Sequence, residues 1–91
     1  MDRFEWDEQK AKANLRKHGV DFEAVRCFEF DSAISWLADL NIYGEQRIVA
    51  VSALGENLYT LIYTIRNEAV RVISLRRASR KEMSIYVRSR E

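Results

Sequence analysis

Apolar residues recur at helical spacing in the first third of the chain and alternate with polar ones from Ala33 onward. Arg3 to Trp6 alternates polar and aromatic, which predicts a short edge strand with Phe4 and Trp6 on one side. Asp7 then fits an N-cap, and Ala11, Leu15 and His18 recur as the stripe of a first helix that Gly19 closes, with Val20 packing back on Leu15. Asp21 caps a second helix with Phe22, Val25 and Phe28 as its apolar stripe, ending near Asp31 and Ser32. Strands are expected over Ala33 to Ala38, Arg47 to Leu54, Leu58 to Arg66 and Ala69 to Arg76. Gly55-Glu56-Asn57 and Asn67-Glu68 are short turns, so the last three strands should form an antiparallel meander. Asn41 to Glu45 is the longest irregular link within the sheet. Ser79 with Glu82 three residues on makes a capping box, and it starts a last helix with Met83, Tyr86 and Val87 on its apolar face.

The expected fold class is α+β: an antiparallel sheet of about four strands, two N-terminal helices packed on it, and a C-terminal helix. A two-residue turn at Asn67-Glu68 sets Thr64 opposite Arg71 and Tyr59 opposite Arg76. One face then collects Thr60, Ile62, Thr64, Arg66 and Arg71. The other, more buried, collects Tyr59, Leu61, Tyr63, Val70, Val72, Ser74 and Arg76, and a one-residue slip would exchange the faces of a strand.

Length adds a bound: 91 residues make one domain, spanning 1 to 91. Cys27 is the only cysteine, so no internal disulfide can form. The charged start MDRFEWDEQK is unlike a signal peptide, and no apolar run approaches transmembrane length, so a cytoplasmic protein is expected. The net charge of +1 conceals an asymmetry. Residues 1 to 65 carry seven Lys or Arg against eleven Asp or Glu, and residues 66 to 91 carry eight against three. The C-terminal third therefore offers a basic surface suited to phosphates or to an acidic partner.

Several segments, in order, resemble the BrnT family, the toxin half of a bacterial type II toxin-antitoxin system. They are FEWD at Phe4 to Asp7, KHGVDFE at Lys17 to Glu23, FEFDSA at Phe28 to Ala33, YGEQR at Tyr43 to Arg47, TIR at Thr64 to Arg66, and VRVISLRRASRKE at Val70 to Glu82, with Tyr86 beyond. The resemblance implies a RelE-like fold, ribonuclease activity and inhibition of translation. It also implies neutralisation by BrnA, a ribbon-helix-helix antitoxin that represses the operon, so operator DNA is met only through that partner. One departure stands out. Family members tend to carry a basic residue just before the Tyr-Gly-Glu motif, where this chain reads Ala38-Asp39-Leu40-Asn41-Ile42.

RNA cleavage without metal needs a 2′-OH activated against its own phosphate, charge stabilisation of the pentavalent transition state, and a proton for the leaving 5′-oxygen. Arginine suits the second task because its planar fork bonds two phosphate oxygens. Arg76 and Arg77 are the leading candidates, followed by Arg66 and Arg71, each weighed against an ordinary surface role. His18, the only histidine, is a proton-transfer candidate, and also a common kind of helix-end cation. Tyr86 is a second such candidate, with core packing as its alternative. Lys17, Arg80 and Lys81 are candidate RNA contacts. Glu82 is explained by its cap. Trp6, Trp36, Tyr43 and Tyr63 are stacking or core residues, with core the default for both tryptophans. No Gly-rich phosphate loop, metal-ligand cluster or Ser/His/Asp arrangement is visible, and no cofactor or metal is expected. The competing reading is a non-catalytic basic subunit that binds an acidic partner or RNA.

Overall fold

The computed structural model describes residues 3–38 and 45–91. The Asp7 carboxylate accepts from the backbone N–H of Gln9 (2.8 Å) and Lys10 (3.1 Å), and α1 runs Glu8–His18 from that cap. Gly19, at φ +71°, closes the helix by donating its N–H to the Leu15 carbonyl (2.8 Å). The expected second helix is instead two 3-10 segments, Phe22–Cys27 and Phe30–Ser32. The reason lies in spacing: Phe22, Val25 and Phe28 are three apart, matching three residues per turn, and all three are buried.

The strands are β1 (Phe4–Glu5), β2 (Ile34–Leu37), β3 (Ile48–Leu54), β4 (Asn57–Arg66) and β5 (Ala69–Arg77), in the order β1-β5-β4-β3-β2. The sheet is thus five-stranded and mixed, not four-stranded and antiparallel, because the aromatic N-terminal segment pairs parallel to β5. Asn67 and Glu68 both take positive φ (51° and 63°), the conformation that two-residue hairpins need, and set Thr64 opposite Arg71.

Farther along, the register departs from expectation. Ile62 faces Ser74 but Tyr63 faces Val72, so Ile73 is an extra residue in β5. The bulge turns Leu75 into the core, puts Tyr59 opposite Arg77, and moves Ser74 and Arg76 to the face that carries Thr60, Thr64 and Arg71. The core face packs Leu61, Val70, Val72 and Leu75 against Phe22, Val25 and Phe28. On the opposite face lies α2 (Arg80–Arg88), with its capping box formed by Ser79 and Glu82. Helical elements therefore cover both sides. Met83 and Tyr86 are half-buried on α2, but Val87 is exposed.

Helix α1 lies along the outer edge of β5, and its buried residue is Asn14 rather than the expected Leu15, which is 48% exposed. The Asn14 amide donates to the carbonyls of Leu75 (2.7 Å) and Val20 (3.1 Å), and its oxygen accepts from the Leu75 N–H (3.3 Å). One side chain thus serves the strand edge as a neighbouring strand would. Asn14→Leu is expected to lower stability by about 2–3 kcal/mol, because these backbone groups would be left buried and unpaired. The check is a lower urea midpoint at unchanged slope.

Candidate functional site

Alternation places Arg66 and Arg71 on the face opposite the core, and α1, lying against that edge, brings Lys10 beside them. Together with Arg47, just before β3, they line a recess of about 330 Å³ floored by Val72 and Ile73. Its acidic members are Asp7, committed to the α1 cap, and Glu45. Arg66 Nη2 meets Glu45 at 2.9 Å, and Arg71 Nη1 meets Glu5 at 2.8 Å. The Arg66 pair is exposed and worth about 0–1 kcal/mol, and the Arg71 pair is partly buried but has a half-exposed carboxylate, so a dianionic or bidentate phosphate can compete for either guanidinium. Arg66 is 48% exposed in its side chain and Arg71 28%.

Lys10 and Ile73 also border a second hollow of about 240 Å³, which reaches Asn14, Lys17, His18 and Ser74. The two hollows adjoin at Lys10 and Ile73, which line both. Loss of water contact lowers the His18 pKa below its ordinary 6.5, and the positive charges of Lys17 and Arg76 lower it further. His18 is therefore mainly neutral at pH 7, with a ring nitrogen free of a proton and able to accept one.

Arg76 and Arg77 do not converge. As neighbours on a strand they point to opposite faces. Arg76 is half-buried against Glu82, donating from Nη1 to Oε1 (2.8 Å) and from Nη2 to Oε2 (2.9 Å). Glu82 Oε1 also accepts from Thr60 Oγ1 and the Ser79 N–H, both at 2.8 Å. The Arg76 fork, and then Ser79 and Thr60, hold the Glu82 carboxyl at about 2 against burial, and the same pair raises Arg76. Arg77 donates to Asn57 Oδ1 (3.2 Å) and stands 5.6 Å over the Tyr59 ring.

Tyr86 lies under the Arg90 guanidinium, 3.7 Å from the ring centre, and lines neither hollow. Arg80 and Lys81 are exposed at the start of α2. Lys17 and His18 thus line the second hollow from α1, whereas Arg77, Tyr86, Arg80 and Lys81 line neither. Trp6 packs edge-on against Phe22, and Tyr63 edge-on against Phe30. The Asn41 to Glu45 link up to Gly44, Tyr43 with most of its motif, and the departing loop from Asp39 to Ile42 lie outside the described residues. Lys10 was not singled out by sequence, yet a signal existed: Lys10, Asn14 and His18 are four apart and share one helix face.

Among the described residues no helix is long and apolar enough to cross a membrane. A family model described as "Ribonuclease toxin, BrnT, of type II toxin-antitoxin system" matches residues 6–82. The crystal structure of the Brucella abortus ribonuclease toxin, BrnT, is similar at 30% identity and a TM-score of 0.69, over 88% of this chain and 100% of that one. A comparison with curated proteins found no match.

Proposed function

Because this chain belongs to the BrnT family of ribonuclease toxins of type II toxin-antitoxin systems, we propose that it is an endoribonuclease that cleaves RNA without a metal ion and thereby inhibits translation. Its partner on this reading is a ribbon-helix-helix antitoxin of the BrnA kind, which neutralises the toxin and links it to operator DNA. The observation that carries the reading is that Lys10, Arg47, Arg66 and Arg71 line one open recess, which shares Lys10 and Ile73 with the His18 hollow.

In the proposed reaction the ribose 2′-oxygen attacks the adjacent phosphorus, the P–O5′ bond breaks, and the products carry a 2′,3′-cyclic phosphate and a 5′-hydroxyl. The 2′-OH proton goes to a base, and the leaving 5′-oxygen takes one from an acid or water. Arg66 and Arg71, with Lys10 and Arg47, stabilise the charge that builds on the phosphorane oxygens. Lys10 and His18 are eight residues apart on α1, about 12 Å along its axis. The two hollows together span more than one nucleotide. On this reading the recess arginines hold the scissile phosphate, and the neutral His18 imidazole, which lines the adjoining hollow with Lys10 and Ile73, is the proposed base. Lys17 contacts a neighbouring backbone phosphate. On this reading Arg76 acts by holding Glu82 and α2 in place, and Tyr86, stacked under Arg90 away from both hollows, is assigned no step.

The purified chain should cut RNA in excess EDTA and leave cyclic phosphate ends. Binding of RNA with no breaks would instead favour the non-catalytic basic subunit.

A further inference from the structure

The far side of the molecule carries a different surface. The sheet order ends at β2, and among the described residues no strand covers its outer edge. Ala38 N–H donates to the Arg47 carbonyl (2.9 Å), and bonded pairs alternate with non-bonded ones in an antiparallel ladder. Ile34 and Trp36 therefore turn their backbone groups to β3, and Ser35 and Leu37 turn theirs outward. Natural sheets blunt such edges with charge, proline or bulges, but Ile34-Ser35-Trp36-Leu37 has neither charge nor proline and pairs regularly. Leu37 is 54% exposed.

Alongside the edge runs a groove of about 600 Å³ between β2 and α2, lined by Ile34, Trp36 and Ile85 with Lys81 among its polar residues. Among the described residues its one carboxylate is Glu82, already taken by Arg76, Thr60 and Ser79. Among the same residues the free charge at the rim is Lys81, with Arg80 beside it in sequence, and Arg90 donates to the Ser32 carbonyl just before β2. An open strand edge, an apolar groove on one side of it and these cations together fit an extended chain with alternating apolar and acidic side chains.

We infer that β2 and this groove are the docking site of an acidic, extended segment of the antitoxin protein, which joins the sheet as a sixth strand. Its apolar side chains rest on Trp36 and Ile85, and its carboxylates meet Lys81 and Arg80. The inference rests on the chain being the toxin of such a pair. The groove and the arginine recess have no lining residue in common, so docking and RNA cleavage can be tested apart.

The test uses the full chain and the antitoxin encoded beside it. Amide exchange should slow at Ser35 and Leu37 when the complex forms. Ser35→Pro removes an outward N–H that the β3 ladder does not use, and Leu37→Asp sets a negative charge at an exposed position beside the acidic segment. Each should weaken antitoxin binding by about 30-fold, as loss of an interface anchor does, with RNA cleavage by the isolated variants unchanged. Unaltered affinity, protection confined to other elements, or the same protection with the toxin alone at high concentration would each overturn the docking site, as would failure of the antitoxin to bind. Absence of RNA cleavage by the isolated wild-type chain would remove the enzymatic reading while leaving the exchange result to judge the docking.

Discussion

Replacing Arg66 and Arg71 together by alanine is expected to lower RNA cleavage by roughly 10²–10³-fold, the scale seen when preorganised donors to a transition-state oxyanion are removed. Both lie on hydrogen-bonded strands, joined by a hairpin whose two turn residues are locked at positive φ, so their positions are set before substrate arrives. Their carboxylate partners, Glu45 and Glu5, are held by half-exposed contacts. Loss of the arginines should therefore cost no more than about 2 kcal/mol, which the stability from urea unfolding would confirm. Binding of RNA should also become less sensitive to salt, because fewer counterions are released per complex. Arg77→Ala serves as the contrast, since Arg77 lies on the other face with Asn57 and Tyr59. Cleavage that survives the double substitution but fails with Arg77→Ala would move the reaction centre to the other face of the sheet.

The contrast between these arginines shows where sequence reading succeeds and where it stops. Thr64 opposite Arg71 was legible because a two-residue turn fixes the neighbouring register. Arg76 was misplaced because a bulge at Ile73 leaves no mark in an apolar run, and one extra residue flips every side chain beyond it. The helix caps at Asp7, Gly19 and Ser79 were legible because each depends on one local hydrogen bond pattern. Asn14 was not, since its partner Leu75 is 61 residues away. A polar residue on a helix reads as solvated until the strand edge it serves is known. The recess follows the same rule: Arg66 and Arg71 were visible from the basic C-terminal third, whereas Lys10 joins them only because α1 lies along β5.

Glu82→Gln is expected to lower stability by about 3 kcal/mol at pH 7, and this difference should fade in acid. Glu82 joins three elements: Arg76 from β5, Thr60 from β4 and the Ser79 cap of α2. Its side chain is only 14% exposed, so solvent screening weakens the network little. A carboxyl held at about 2 rather than 4.5 favours the folded state by about 3 kcal/mol once it is ionised in both states. The folded value is the depressed one, so this contribution is complete above about pH 4.5 and is lost as pH falls toward 2. Urea unfolding of both proteins at pH 7, 4 and 2.5 should show the gap narrowing in that order. A constant gap would mean that the glutamine harms packing rather than charge. A second variant separates pairing from burial: Arg76→Met with Glu82→Leu removes both charges, and should recover much of what Glu82→Gln alone loses, because the larger cost is an unpaired half-buried guanidinium. Since Glu82 anchors the first turn of α2, the single substitution should also loosen the wall of the β2 groove, and exchange at Ile85 should rise while exchange at Val70 stays slow.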